Sequence, residues 1–171
     1  MENKVIKTIK NRVSCRSYND KKVELSKVKQ IVDAGVYAPT ARNRQICNIL
    51  VLRSKKYVER LRELSYDILQ RDCFYGANTL VLVYASKDEK HYIQDCTCIL
   101  ENMFIAATSL NVCSCWINQV NDLFITPQGQ KVKKSLKIPN DCYVVGTCIL
   151  GYSDETDQLK VKERKDFVRY L

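Results

Sequence analysis

Arg12, Ser14 and Arg16 stand on alternate residues near the start of the chain. In an extended segment alternate side chains point to one side, so two guanidinium groups would flank one hydroxyl. Such a set suits a phosphate, because each guanidinium presents a planar fork of donors. A second polar stretch, Ala38-Pro39-Thr40-Ala41-Arg42-Asn43-Arg44-Gln45, is dense in amides and hydroxyls that could read the edge of a ring. Taken alone it is an ordinary helix-ending turn, which Pro39 and Asn43 also suit.

What the chain lacks narrows the chemistry further. His91 is its one histidine, and its position after a charged turn reads as a solvated helix start. Without a second histidine, His-assisted serine or cysteine nucleophiles have little support. There are five glycines and neither Gly-x-Gly-x-x-Gly nor a phosphate-loop Gly-Lys-Ser/Thr, so Rossmann and P-loop nucleotide sites are unsupported. Nine cysteines include the close pairs Cys96/Cys98 and Cys113/Cys115. On a helix, at ~100° per residue, Cys96 and Cys98 lie about 200° apart and cannot face one ion. Cys113 and Cys115 could share a strand face, but the first pair cannot complete the set. Reduced core thiols account for all nine, and no metal is expected.

The elements that must position these residues follow from periodicity. Residues 4–11 read as a short helix with Val5, Ile6 and Ile9 on one side. Leu25, Val28, Ile31, Val32 and Gly35 carry the spacing of an amphipathic helix that ends before Pro39. Asn48–Leu52 is a buried-strand candidate, and Ser54 can cap a helix running to about Gln70. Thr79–Tyr84 is apolar almost throughout and so reads as a central strand. Residues 91–110 form the longest helix, apolar on most sides and hence buried on most sides. Val112–Ile117 is a strand, Thr126-Pro127 opens a helix to about Leu136, and Cys142–Tyr152 is the last strand. Four strands alternating with helices imply, by pattern alone, a parallel doubly wound α/β sheet.

The 171 residues, 46% hydrophobic and 27% charged, fit one soluble domain spanning 1–171. No run approaches the ~18 apolar residues of a membrane span. The start Met1-Glu2-Asn3-Lys4-Val5 has no apolar signal core, so a cytoplasmic location is expected. The net charge of +9 invites a nucleic-acid partner. The basic residues are scattered, however, with no arginine-rich arm, and speak only to general attraction of anions.

The order Arg12-x-Ser14-x-Arg16-x-Tyr18, then Ala38-Pro39-Thr40-x-x-Asn43-x-Gln45, resembles the FMN-dependent nitroreductase family. The resemblance continues through Cys115-Trp116-Ile117-Asn118 and the closing Lys162-Glu163-Arg164, and so spans nearly the whole chain. It implies an α+β fold: a three-layer α-β-α sandwich around a mixed, mainly antiparallel sheet. It also implies an interlocked homodimer whose tail, here 153–171, docks on the partner subunit. A tail ending Phe167-Val168-Arg169-Tyr170-Leu171 would leave apolar side chains exposed unless docked.

By the same resemblance, Arg12, Val13, Ser14 and Arg16 form the first FMN-binding segment. Arg12 and Ser14 would hold the phosphate, and Arg16 would approach the pyrimidine edge of the ring. Lys162 and Arg164 would complete the phosphate clamp, although a Lys-x-Arg alone is a common solvated pair. Pro39, Thr40, Ala41 and Asn43 would reach the flavin from the second subunit. Ile117 and Asn118 would place a backbone N–H opposite flavin N5. Departures lie at Gln45-Ile46-Cys47, where the family has Gln-Pro-Trp, at Asn111-Val112-Cys113 for Gly-Leu-Gly, and at Asn118-Gln119 for Gly-Gly. The implied activity is ping-pong electron transfer from NADH or NADPH through FMN to a nitroaromatic, quinone or similar small-molecule acceptor. The alternative is a flavin-binding homodimer that stores or senses with little turnover.

Overall fold

The computed structural model describes residues 2–155 and 168–170. Its elements run α1 Lys4–Asn11, α2 Leu25–Val36, β1 Asn48–Leu52, α3 Lys55–Leu69, β2 Thr79–Ser86, α4 Tyr92–Ser109 and β3 Cys113–Ile117. They end with α5 Val120–Phe124, α6 Pro127–Ser135 and β4 Cys142–Gly151, and a 3-10 turn at Ala41–Asn43 precedes β1. The strand order is β1-β2-β4-β3, and each neighbouring pair is antiparallel. One isolated parallel bridge, Ser14 to Ser114, brings the segment after α1 against β3.

The parallel doubly wound sheet suggested by pattern alone is therefore not formed, and the α+β arrangement implied by the resemblance is. Periodicity counts elements but is blind to strand direction, which depends on where each connection re-enters the sheet. Between α3 and β2 the connection passes through the core, with Cys73, Phe74 and Ala77 buried.

The sheet is covered on both faces, which makes three layers. Along β2, Leu80 and Leu82 pack with Leu61 and Leu64 of α3, Leu123 of α5 and Val132 of α6. Val81 and Val83 point the other way, into Ile31 of α2 and Leu100 and Met103 of α4. This double burial explains why β2 shows no polar alternation. Opposite Val83 and Tyr84, β4 carries one extra residue: Val83 pairs with Gly146 and Tyr84 with Val144. Val145 is thus a bulge. A Cβ at Gly146 would lie 2.7 Å from the Trp116 ring, so glycine there lets the indole lie on the sheet.

Three local details go beyond the periodicity. Ser54 occupies the N-cap of α3 but makes no side-chain capping bond. Val5, Ile6 and Ile9 do share one side of α1, yet they are 61%, 48% and 47% exposed, because nothing in the described chain covers them. Helix α5 was not visible from periodicity, which cannot signal a helix of five residues. It is pinned by Asn121, whose amide donates to the Val144 carbonyl and whose oxygen accepts the Val144 N–H at 3.2 Å.

Candidate functional site

Arg12 is the C-cap of α1, where its N–H still donates to the Ile9 carbonyl and its own backbone has already turned extended, at φ −62° and ψ 126°. From there the chain runs against β3, with the Cys15 N–H donating to Ser114 O at 3.0 Å. Extension places Arg12, Ser14 and Arg16 as expected. An Arg12 guanidinium nitrogen reaches the Ser14 hydroxyl at 3.5 Å. All three lie near Cys115 of β3: burial pushes that thiol up, while Arg16, the Ser14 hydroxyl and Arg12 draw it back down. Arg12, Val13 and Ser14 are half-buried and Arg16 is exposed. Neither arginine forms an ion pair among the described residues. Among the described residues the cluster is thus two cations beside a hydroxyl with no acidic partner, a set that suits a dianion.

Cys15 points away from this cluster and is buried. A hydrogen bond from Cys113 lowers its pKa to about 6 against the pull of burial. Tyr18 closes the segment, its hydroxyl donating to Cys15 O at 3.0 Å. Its ring occupies space that only glycine at 151 leaves, since a Cβ there would meet Tyr18 at 2.5 Å.

The second segment folds as the 3-10 turn. Thr40 accepts the Gln45 N–H at 3.1 Å through its hydroxyl and the Asn43 N–H at 2.9 Å through its carbonyl. Arg42, Asn43 and Gln45 all adopt positive φ, at 55°, 55° and 52°. Pro39 and Asn43 are exposed, and Thr40 is half-buried. A residue that sequence reasoning missed anchors this turn. Asp95, in the first turn of α4 and 5% exposed, accepts the Ala41 N–H at 2.9 Å. Its other carboxylate oxygen is buried with no hydrogen-bond partner among the described residues, and Asp95 borders an open pocket with Arg42, Arg44 and His91. The signal was present, because Asp95 stands four and eight residues before Ile99 and Met103 on the buried stripe of α4.

The third piece follows β3. Trp116 packs on Phe104, ring centroids 6.1 Å apart. Ile117 is 2% exposed, and Asn118 emerges to solvent before α5. Lys162 and Arg164 lie outside the described residues. The structure therefore unites Arg12, Ser14 and Arg16. It does not join them to 39–43: no hydrogen bond or ion pair links these three residues to that turn among the described residues.

The chain matches the sequence model of the Nitroreductase family over residues 9–72 and 68–152. It belongs to the nitroreductase family. A nitroreductase with bound FMN from Bacteroides fragilis is 31% identical and superposes with a TM-score of 0.91, each chain 99% covered. A nitroreductase with bound FMN from Desulfitobacterium hafniense, 23% identical, shares the fold with a TM-score of 0.87 over 100% of both chains. Among curated relatives, a protein of Archaeoglobus fulgidus named as an NADH dehydrogenase/NAD(P)H nitroreductase is 27% identical over 168 residues. That match covers 93% of this chain and 91% of the relative. No helix among the described residues of this nitroreductase-family chain is long and apolar enough to cross a membrane.

Proposed function

We propose that this chain is an FMN-dependent NAD(P)H oxidoreductase acting on small electron-poor acceptors. The observation that carries the reading is the pair of guanidiniums beside Ser14 and β3, without an acidic partner among the described residues, which fits the phosphate of FMN. Membership of the family and the FMN-bound relatives support it. Arg12 and Ser14 hold the phosphate. Arg16, exposed next to them, stands at the pyrimidine edge and stabilises negative charge there. Ile117 is fixed in the core, so the backbone at Asn118 presents its N–H from a rigid strand end. Lys162 and Arg164 add positive charge at the phosphate. When bound, FMN would supply hydride acceptance from NADH or NADPH and, in a separate half-reaction, delivery to a nitroaromatic, quinone or similar acceptor. No side chain then has to act as a general base.

Because 39–43 is not joined to the phosphate seat within one chain, Pro39, Thr40, Ala41 and Asn43 serve the flavin of a partner subunit. The functional unit is a homodimer of one-domain chains, with the tail from 153 onward on the partner. The exposed apolar side of α1 and the exposed Val36, Tyr37 and Tyr170 supply surface for that assembly. Sedimentation should give a dimer, and deletion of residues 167–171 should loosen the dimer and release flavin together. A stable monomer with full flavin occupancy would refute the two-chain site.

Purified protein should show the absorption bands of oxidised flavin, released by heat as FMN. NADH or NADPH should bleach them, and adding menadione should drive continuous NAD(P)H oxidation. A tightly held FMN that neither nucleotide reduces would instead favour a storage or sensing role.

A further inference from the structure

We infer that Cys47 and Cys96 form a redox-modification site, at which a hydroperoxide converts the two thiols into a disulfide tying the 40–47 loop to α4. Their sulfurs are 3.1 Å apart, the Cys96 thiol donating to Cys47. A disulfide needs about 2.0 Å, so closure requires a movement of about 1 Å. The two come from different elements: Cys47 ends the loop that enters β1, and Cys96 lies in the second turn of α4.

Their environments divide the labour. Cys47 is half-buried, whereas Cys96 is fully buried. The hydrogen bond from Cys96 favours the Cys47 thiolate despite burial, and the same bond together with burial keeps Cys96 protonated. Cys47 is therefore the thiol that meets the oxidant, and Cys96 the one that resolves it. The Cys47 sulfur attacks one peroxide oxygen and the O–O bond breaks, which releases an alcohol or water and leaves a sulfenic acid. The Cys96 sulfur then displaces that oxygen, which departs as water with the Cys96 proton. Two electrons pass from the two thiols to one hydroperoxide.

The loop is one that gains from such a tie. Three of its residues hold positive φ without being glycine, a backbone that persists only where its surroundings over-determine it. Consecutive residues of α4 grip it at both ends: Asp95 holds Ala41, and Cys96 touches Cys47. In the reduced protein the second grip is a thiol contact; oxidation makes it covalent. That this regulates cofactor binding rests on the proposed function, whereas the cross-link does not.

Wild-type protein treated with hydrogen peroxide and mapped without reduction should yield a Cys47–Cys96 linked peptide, lost on adding dithiothreitol. Hydrogen exchange across residues 41–47 should slow roughly tenfold. Cys47→Ser and Cys96→Ser should each abolish the link, and the half-exposed Cys47 position keeps the test decisive if the buried one does not tolerate serine. The absence of this link in wild type, or a link that leaves exchange unchanged, overturns the inference. FMN release should slow several-fold on oxidation; unchanged release from a protein that binds FMN overturns the regulatory part. A reduced protein that never binds FMN would refute the proposed function while the link and exchange results stand.

Discussion

Gly129→Ala should destabilise the fold by about 3 kcal/mol, which is the expected scale for forcing an atom into packed backbone. A Cβ at 129 would lie 1.8 Å from the Leu123 carbonyl oxygen, 2.7 Å from its carbon and 2.9 Å from the Phe124 Cα. All three atoms are main chain, so no rotamer change relieves the clash. The two helices also cannot easily part. The Thr126 hydroxyl caps α6 by accepting the Gly129 N–H at 3.0 Å, and the Gln130 amide donates to the Phe124 carbonyl. Alanine gains about 1 kcal/mol over glycine in helix propensity, too little to offset this. For a chain of this size each kcal/mol moves Tm by roughly 2–4 °C, so the melt should fall by about 6–12 °C. A denaturant midpoint that drops with an unchanged slope would agree. An unchanged or raised midpoint would mean that α5 and α6 do not approach as described.

Arg12→Ala should weaken FMN binding by one to two powers of ten. The charge-assisted bond it removes is worth ~1.5–3 kcal/mol. The backbone of the segment should not suffer, because the Arg12 N–H bond to Ile9 and the Cys15 N–H bond to Ser114 do not involve the lost side chain. Arg12→Lys should recover part of the affinity, since a point charge replaces a planar fork. Titration of apoprotein by flavin fluorescence measures the change. Affinity that does not move would remove Arg12 from the phosphate seat.

Much of this architecture was legible in the sequence, for reasons that differ by element. β2 declared itself as central because both its faces are buried, which leaves an unbroken apolar run. α2 and α4 declared themselves through stripes that do meet the sheet. α1 shows the same kind of stripe with nothing among the described residues covering it, so amphipathicity predicted the helix but not what it packs against. Strand direction was not encoded by periodicity and came only through the family resemblance. In the segment after α1, alternation anticipated that Arg12, Ser14 and Arg16 come together, because an extended chain needs only a spacing of two. The turn at 41–45 was harder to foresee. Arg42, Asn43 and Gln45 hold positive φ in a turn whose Ala41 N–H is anchored by a carboxylate more than fifty residues away in the chain, a contact that local sequence does not signal.

The strand order also sets when the molecule can become whole. β4 is the last of the described strands to be made, yet it lies between β2 and β3, which do not pair with each other. As the chain emerges during synthesis, β1 and β2 can join as a hairpin-like pair, while β3 has no neighbour in the sheet. Until Cys142–Gly151 arrives, β2 displays an open edge with apolar side chains on both faces, the kind of surface that recruits other chains. Nascent protein should therefore depend on holding chaperones until β4 has been made. A fragment ending before Cys142 lacks the middle of its sheet and should aggregate.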